Sequence, residues 1–343
     1  MKSRNKLEEQ GHDHILTYGD LGRHTYGHVG QALVDFMVLV SQSGCCVAYL
    51  IFIGQNLSSM FTGGTEKQTF FIGVLLPFEI MLAWVRSLAG LAPSSILADV
   101  CNVLAMAIVV KDDFGSFEGF DGIIAFQKWT TFPFAFGIAV YCYEGFGMTL
   151  TLASSMKKPH LFPKVLAQAL LPITILYIAF GIIGYFAFCD ETKDIITLNL
   201  PNDWWTVAVK LGLCTALLFT FPVMMYPVHE LVECKVTRTH YFQRTFASRT
   251  TLRRLVLDFI RGVLVLIIAV VAVLVPTFGV FISLVGSTVC AMLAFVFPAF
   301  FHLYVFKDCI PLWQKGIDWL LIVGGMSFAI YGTYTTVMGI IPS

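Results

Sequence analysis

The sequence predicts an all-α integral membrane protein with nine transmembrane helices. Three observations carry that prediction. The 343 residues are 57% hydrophobic and only 13% charged, about half the charged share of an ordinary soluble domain. Mean hydropathy is +0.77, so lipid must be the solvent for much of the chain. The apolar residues fall into nine runs, and a hydrocarbon core about 30 Å thick is crossed by about 20 helical residues. The runs are far too long for barrel strands, which leaves helices that satisfy their own backbone.

The elements follow in order. The chain opens with polar "MKSRNKLEEQGHDH", which is not a signal peptide, and residues 1–30 read as a cytosolic segment. The first span, 34–58, carries Ser41, Gln42 and Ser43 in mid-run with Tyr49 two turns on. Such a patch suits a cavity wall and interhelical hydrogen bonding equally. In the second, 69–86, Glu79 follows Pro77 and reads as a structural group closing a break. In the third, 94–111, Asp99 lies about one turn in and is balanced between an interfacial charge and a coupling carboxylate. The fourth, 132–155, is anomalous and is taken up below. The fifth is 164–189. The sixth, 204–227, starts near Lys210 and contains Thr215 and Thr220, which are expected to bond back to their own helix. The seventh, 255–275, is parted from the eighth, 278–306, only by "PTFG". Ser283, Gly286, Ser287 and Thr288 in the eighth read as a packing seam. The ninth is 317–340. Asp35, Lys210 and Asp258 read as charges at solvated helix ends.

With the N-terminus in the cytosol, all but five of the 22 Lys and Arg residues fall on the inner side, the exceptions being Lys67, Lys111, Lys128, Lys193 and Lys210. That bias satisfies the positive-inside rule and puts the C-terminus in a lumen or outside the cell. The basic loop 228–254 is then cytosolic. The loop 112–131, with Asp112, Asp113, Glu118 and Asp121, is on the other side.

The anomaly is "YCYEGFGMTL", residues 141–150. Glu144 lies roughly 12 residues, or about 18 Å of helix, from either end of its run. That is too deep for its charge to reach the interface. Gly145 and Gly147 remove side chains beside it, and glycine accepts backbone angles other residues resist. A carboxylate with two glycines at mid-span marks a discontinuous membrane helix, whose freed carbonyls and amides meet a small polar substrate or ion. The half-helix after the break offers its amides to an anion such as a carboxylate. The alternative is a glycine packing face with Glu144 paired to a basic group elsewhere.

Other chemistries lack their signatures. There is no phosphate-binding G-x-x-x-x-G-K-[ST] loop and hence no sign of an ATP-driven pump. No Ser-His-Asp set, metal-ligand spacing or cofactor motif stands out, so the chain reads as a non-enzyme with neither metal nor cofactor. The nine cysteines form no CxxC pair and read as small hydrophobes. Net charge is zero, and no nucleic-acid partner is indicated.

Several stretches resemble one family. "YCYEGFGMTLTLASSM" is similar to the sixth-helix signature of the amino acid/auxin permease family. "TYGDLGRHTYGHVGQALVDFMVLVSQSGCCVAYLIFIGQNL" resembles its entry into the third helix, "LFTFPVMMYPVHELVE" its eighth and "FGVFISLVGSTVCAMLAFVFPAFFHL" its tenth. The match covers essentially the whole chain and is closest to plant vacuolar neutral amino acid transporters, akin to animal proton-coupled ones. The resemblance implies a LeuT-type bundle of two inverted five-helix repeats, with the nine helices here as the third to the eleventh. The family's first two helices are then missing. Residues 34–111 are a three-helix remnant of the first repeat, 132–306 the complete second repeat and 317–340 an additional helix, all within one transporter domain over 1–343. It implies proton-linked symport of neutral amino acids across a vacuolar or lysosomal membrane, with the plasma membrane as the alternative location. Its partners would be the amino acid, protons and the bilayer. A second implication is a shortened, non-transporting isoform or an amino acid sensor, because the partner of the broken helix would be absent. By resemblance the substrate-facing backbone is Tyr143, Glu144, Gly145, Phe146 and Gly147, with Ser41 and Gln42 nearby. Glu144 and Asp99 are the candidates for proton coupling. The cost of an ionised carboxyl in apolar surroundings makes proton uptake at Glu144 chemically reasonable.

Overall fold

A computed structural model describes residues 2–9, 11, 15, 17–63, 67–86, 88–115, 123–124, 128–201, 203–246, 250–275, 277–307 and 309–340. All regular structure among them is helical. The helices are α1 (Lys2–Glu9), α2 (Tyr18–Thr62), α3 (Gln68–Ala83), α4 (Leu88–Gly115), α5 (Phe132–Cys142), α6 (Phe146–Ser155), α7 (Phe162–Phe188), α8 (Trp204–Arg238), α9 (His240–Phe246), α10 (Thr250–Leu274), α11 (Phe278–Val305) and α12 (Leu312–Ile340). Each of the nine expected apolar segments is occupied by helix. Among the described residues, six helices are long and apolar enough to cross a membrane, and Gln68–Ala83 and Phe132–Cys142 are shorter apolar helices. The chain is an all-helical membrane protein. Half of the loop expected over 112–131, Glu118 and Asp121 included, lies outside the described residues.

Three helices depart from a plain reading of hydropathy. Helix α2 begins well before residue 34 and bends at Tyr26 and Gly27, whose φ is 66°. There the two limbs press backbone to backbone, since a Cβ on Gly22 would sit 2.8 Å from the Gly30 carbonyl oxygen. Helix α3 runs straight through Pro77, so Glu79 closes no break there. Membrane helices absorb a proline when neighbouring groups re-satisfy the freed carbonyl. Helix α11 is π-helical over Gly286–Cys290 and Met292–Val296, a local widening that recurs at functional sites.

The chain divides into two compact units, 1–41 with 126–177 and 279–343, and 42–125 with 178–278. In the first, α5 lies on the π-helical part of α11. A Cβ on Gly286 would fall on the Gly137 carbonyl, and Ser283 Oγ donates to the Phe134 carbonyl at 3.0 Å. The small residues of α11 therefore form the seam their size suggests. Val140, Val285 and Cys290 make the core beside it, with Phe136 and Phe328 packed on.

In the second unit α4 packs along α8, and α3 packs on both α8 and α10. Ala105, Val109, Leu200 and Val209 form a core there. Lys210 corrects the sequence reading: it is no solvated end but fully buried, and its Nζ donates to Ser59 Oγ at 3.2 Å. Asp35, in the first unit, is likewise buried. Asp258 stays at a half-exposed end, paired with Arg86 at 2.5 Å. Thr215 and Thr220 do bond back, to the Leu211 and Ala216 carbonyls at 2.8 Å each.

Candidate substrate site

The break falls where the glutamate and glycines predict it. Helix α5 ends at Cys142 and α6 starts at Phe146, leaving Tyr143, Glu144 and Gly145 outside both. Gly145 has φ 152° and ψ 4°, a conformation that L side chains resist. Gly147 is needed for a second reason, because a Cβ there would lie 2.9 Å from Val38 Cγ1 on α2. Two turn-like bonds close the end of α5: Tyr143 N–H donates to the Val140 carbonyl at 3.3 Å and Glu144 N–H to the Tyr141 carbonyl at 2.9 Å.

No side chain caps the N-terminus of α6. Gly145 at the cap offers its first amides no side-chain acceptor, and the N-terminal end of a helix favours an anion. Thr149 Oγ1 takes up the Gly145 carbonyl at 3.1 Å.

Glu144 itself is held from α2. Ser41 Oγ donates to Glu144 Oε1 at 2.9 Å and lies 3.5 Å from Cys290 Sγ. Three segments thus meet at one hydroxyl: α2 at Ser41, the break at Glu144 and the π-helical stretch of α11 at Cys290. Tyr143 turns to α7, where its hydroxyl donates to Thr174 Oγ1 at 2.8 Å and its ring meets Tyr177 edge-on at 5.9 Å. Phe146 lines a mostly apolar cavity of about 170 Å³ with Tyr18, Leu21, Leu150, Pro298 and Phe301.

Of the residues singled out from sequence, Tyr143, Glu144, Gly145, Phe146, Gly147 and Ser41 come together here. Gln42 is fully buried but belongs to the other unit, as does Asp99, which is exposed on α4. Cys290, Thr174, Val38 and Tyr18 escaped sequence reasoning. Cys290, Thr174 and Val38 are ordinary residues of apolar runs and Tyr18 lies in the segment before the first run, and only tertiary packing brings them to the site.

A family described as transmembrane amino acid transporter protein matches residues 1–338. The chain belongs to that family. It is accordingly a membrane transporter of amino acids rather than an enzyme. It is 44% identical to amino acid transporter ANT1 of Arabidopsis thaliana over 99% of this chain and 81% of that one. It is 39% identical to amino acid transporter AVT3C of the same plant, over 97% of this chain and 78% of the relative. Vacuolar amino acid transporter 4 of Saccharomyces cerevisiae is 25% identical over 95% of this chain and half of its own length.

Proposed function

We propose that the chain is a proton-coupled symporter of neutral amino acids in a vacuolar membrane, with its substrate held at the α5–α6 break. The observation that carries this reading is the unwound stretch Tyr143–Gly145 with Ser41 bonded to Glu144. The substrate carboxylate sits on the uncapped amides of α6. Its ammonium meets the last carbonyls of α5 and one oxygen of Glu144. An apolar side chain enters the cavity beside Phe146, which is why neutral substrates suit it. Glu144 takes the coupling proton. Ser41 donates to Glu144 Oε1 at 2.9 Å and orients the carboxyl for that exchange. The fold is the LeuT-type inverted repeat, with 34–111 from the first repeat and 132–306 as the second, and this supplies the discontinuous helix with a structural rationale. The vacuolar location rests on the relative named as a vacuolar transporter.

The test is uptake of a labelled neutral amino acid into proteoliposomes with and without a pH gradient. The wild type accumulates substrate only with the gradient, and Glu144→Gln loses that dependence. Uptake indifferent to both gradient and substitution overturns the reading.

A further inference from the structure

The second unit contains a polar cavity that the broken helix does not use. It holds about 520 Å³, and its wall includes Ser58 and Ser59 from α2, Lys67 and Gln68 at the start of α3, Lys193 from the loop before α8 and Val275 after α10. The loop is tied in place. Lys193 N–H donates to Asn199 Oδ1 at 2.8 Å, Asn199 Nδ2 donates to the Glu191 carbonyl at 2.7 Å, and Thr197 Oγ1 donates to Asn56 Oδ1 of α2 at 2.6 Å. Gln68 is fixed too, its Nε2 donating to the Val275 carbonyl at 3.3 Å.

The wall is positive. Its described residues include two lysines and no carboxylate. Asp190, Glu191 and Asp194 share the loop with Lys193 but are exposed and outside that lining. Lys67 enters none of the ion pairs among the described residues. Lys193 gives one ammonium N–H to the Leu198 carbonyl at 3.0 Å and keeps its others for a ligand. No side chain caps α3, so the positive end of that helix adds to the field at Lys67 and Gln68. Lys210, fully buried on α8, reaches the lining through Ser59, to whose Oγ it donates at 3.2 Å. Lys193 and Lys210 also act on each other electrostatically. Like charges so placed repel, and an anion at the wall offsets that repulsion. Of the five lysines that the positive-inside count leaves over, three are therefore gathered at one cavity.

We propose that this cavity binds a phosphate group, either as a free ion or as the headgroup of a lipid. Lysine meets phosphate as a point charge, and a helix N-terminus meets it through backbone amides. The cavity lies where the apolar helices α2 and α10 end and α3 begins, which is the depth of lipid headgroups on helices that cross a bilayer. Bound there, the phosphate joins Lys67 of α3 to Lys193 of the loop and so holds the loop against the helix. None of these residues belongs to the α5–α6 break, so the inference stands apart from the substrate reading.

The experiment follows the Tm of the full chain in detergent while sodium phosphate replaces sodium chloride at constant ionic strength. A saturable rise is expected, because a ligand that binds the folded state stabilises it. Lys67→Gln combined with Lys193→Gln should raise the half-saturating concentration about tenfold or more, since each removes a charged hydrogen-bond donor. Lys67→Arg combined with Lys193→Arg keeps both charges and should retain the saturable rise. If the glutamine pair does not fold, Lys67→Gln alone, at an exposed side chain, decides by the same displacement. A parallel titration uses a short-chain, water-soluble phosphatidic acid. Saturation by inorganic phosphate assigns the free ion. Saturation by the phosphatidic acid alone, with the same dependence on the lysines, assigns a headgroup. A Tm that saturates with neither, or that responds in the glutamine variants as it does in wild type, overturns the inference.

Discussion

Two carboxyls on apolar helices are handled in opposite ways. Glu144 is half-buried on unwound backbone, with a serine donating to it from another helix. Glu79 is fully buried on a continuous helix two residues after a proline, with no partner for either oxygen. The difference teaches what breaks a membrane helix. Proline removes one donor, and α3 continues through Pro77 unbroken. Gly145, with φ 152°, does what proline does not: it takes the chain out of the helical region altogether and gives the glutamate an open setting.

The sharpest way to break the comparison is at these two residues. Gly145→Val forces a branched side chain into a conformation costing about 1–3 kcal/mol. Counterflow of a neutral amino acid should fall tenfold or more. Pro77→Ala changes a residue inside a helix that already continues, and counterflow should stay within twofold of wild type. A Gly145→Val protein that exchanges normally would show that the break does not hold the substrate.

The carboxyls themselves should differ in stability. Glu79→Leu removes an unpartnered buried group and should raise unfolding stability in detergent by about 1–3 kcal/mol, visible as a higher Tm. Glu144→Leu leaves the Ser41 hydroxyl without its acceptor and should lower Tm. Changes of the same sign at both positions would contradict the two environments.

This contrast also marks how far the sequence could be read. The helical segments and the position of the break were legible, because long apolar runs and a mid-span Glu-Gly-x-Gly have few physical alternatives. The fates of individual charges were not. Lys210 lies near a run's end and looked solvated, yet it is fully buried beside Ser59. Arg261 and His229 look like loop or end residues, yet both are buried against neighbouring helices. Hydropathy measures depth along one helix, whereas burial depends on which neighbour covers that face. Ser41 was legible as polar but not as the donor to Glu144, and Cys290 gave no signal at all, because a distance between helices is not written in either one.

A second unpartnered carboxyl extends the comparison to a group whose titration can be followed. Asp113 lies at the end of α4, beyond the apolar span 94–111. It is buried with neither oxygen bonded. Burial, with Asp112 adding, raises its pKa from 3.8 to about 6. A raised carboxyl pKa means the folded protein holds the proton longer than the unfolded chain. No cost arises below the lower value, it grows between the two, and it is complete above about pH 6. Asp113→Asn should therefore match wild type in Tm near pH 4 and exceed it at pH 7. Equal Tm differences at both pH values would show that Asp113 is not the titrating group.

The smallest effect tests whether a hydroxyl at the break differs from a hydroxyl elsewhere in the same chain. Ser41→Ala removes one interhelical hydrogen bond to Glu144, worth about 1 kcal/mol in a membrane protein. Thr220→Val removes a hydroxyl whose bond is to its own helix, at 2.8 Å from the Ala216 carbonyl. Such a bond satisfies a group already paired in the backbone, so its loss should leave Tm and transport unchanged. Ser41→Ala should lower Tm slightly and also shift the pH at which gradient-driven uptake is half-maximal, because the carboxyl that carries the proton has lost its donor. A pure packing role for Ser41 would move Tm alone. The shift in the pH profile, absent from Thr220→Val, is what separates a serine that sets the chemistry of Glu144 from one that merely fills its place on α2.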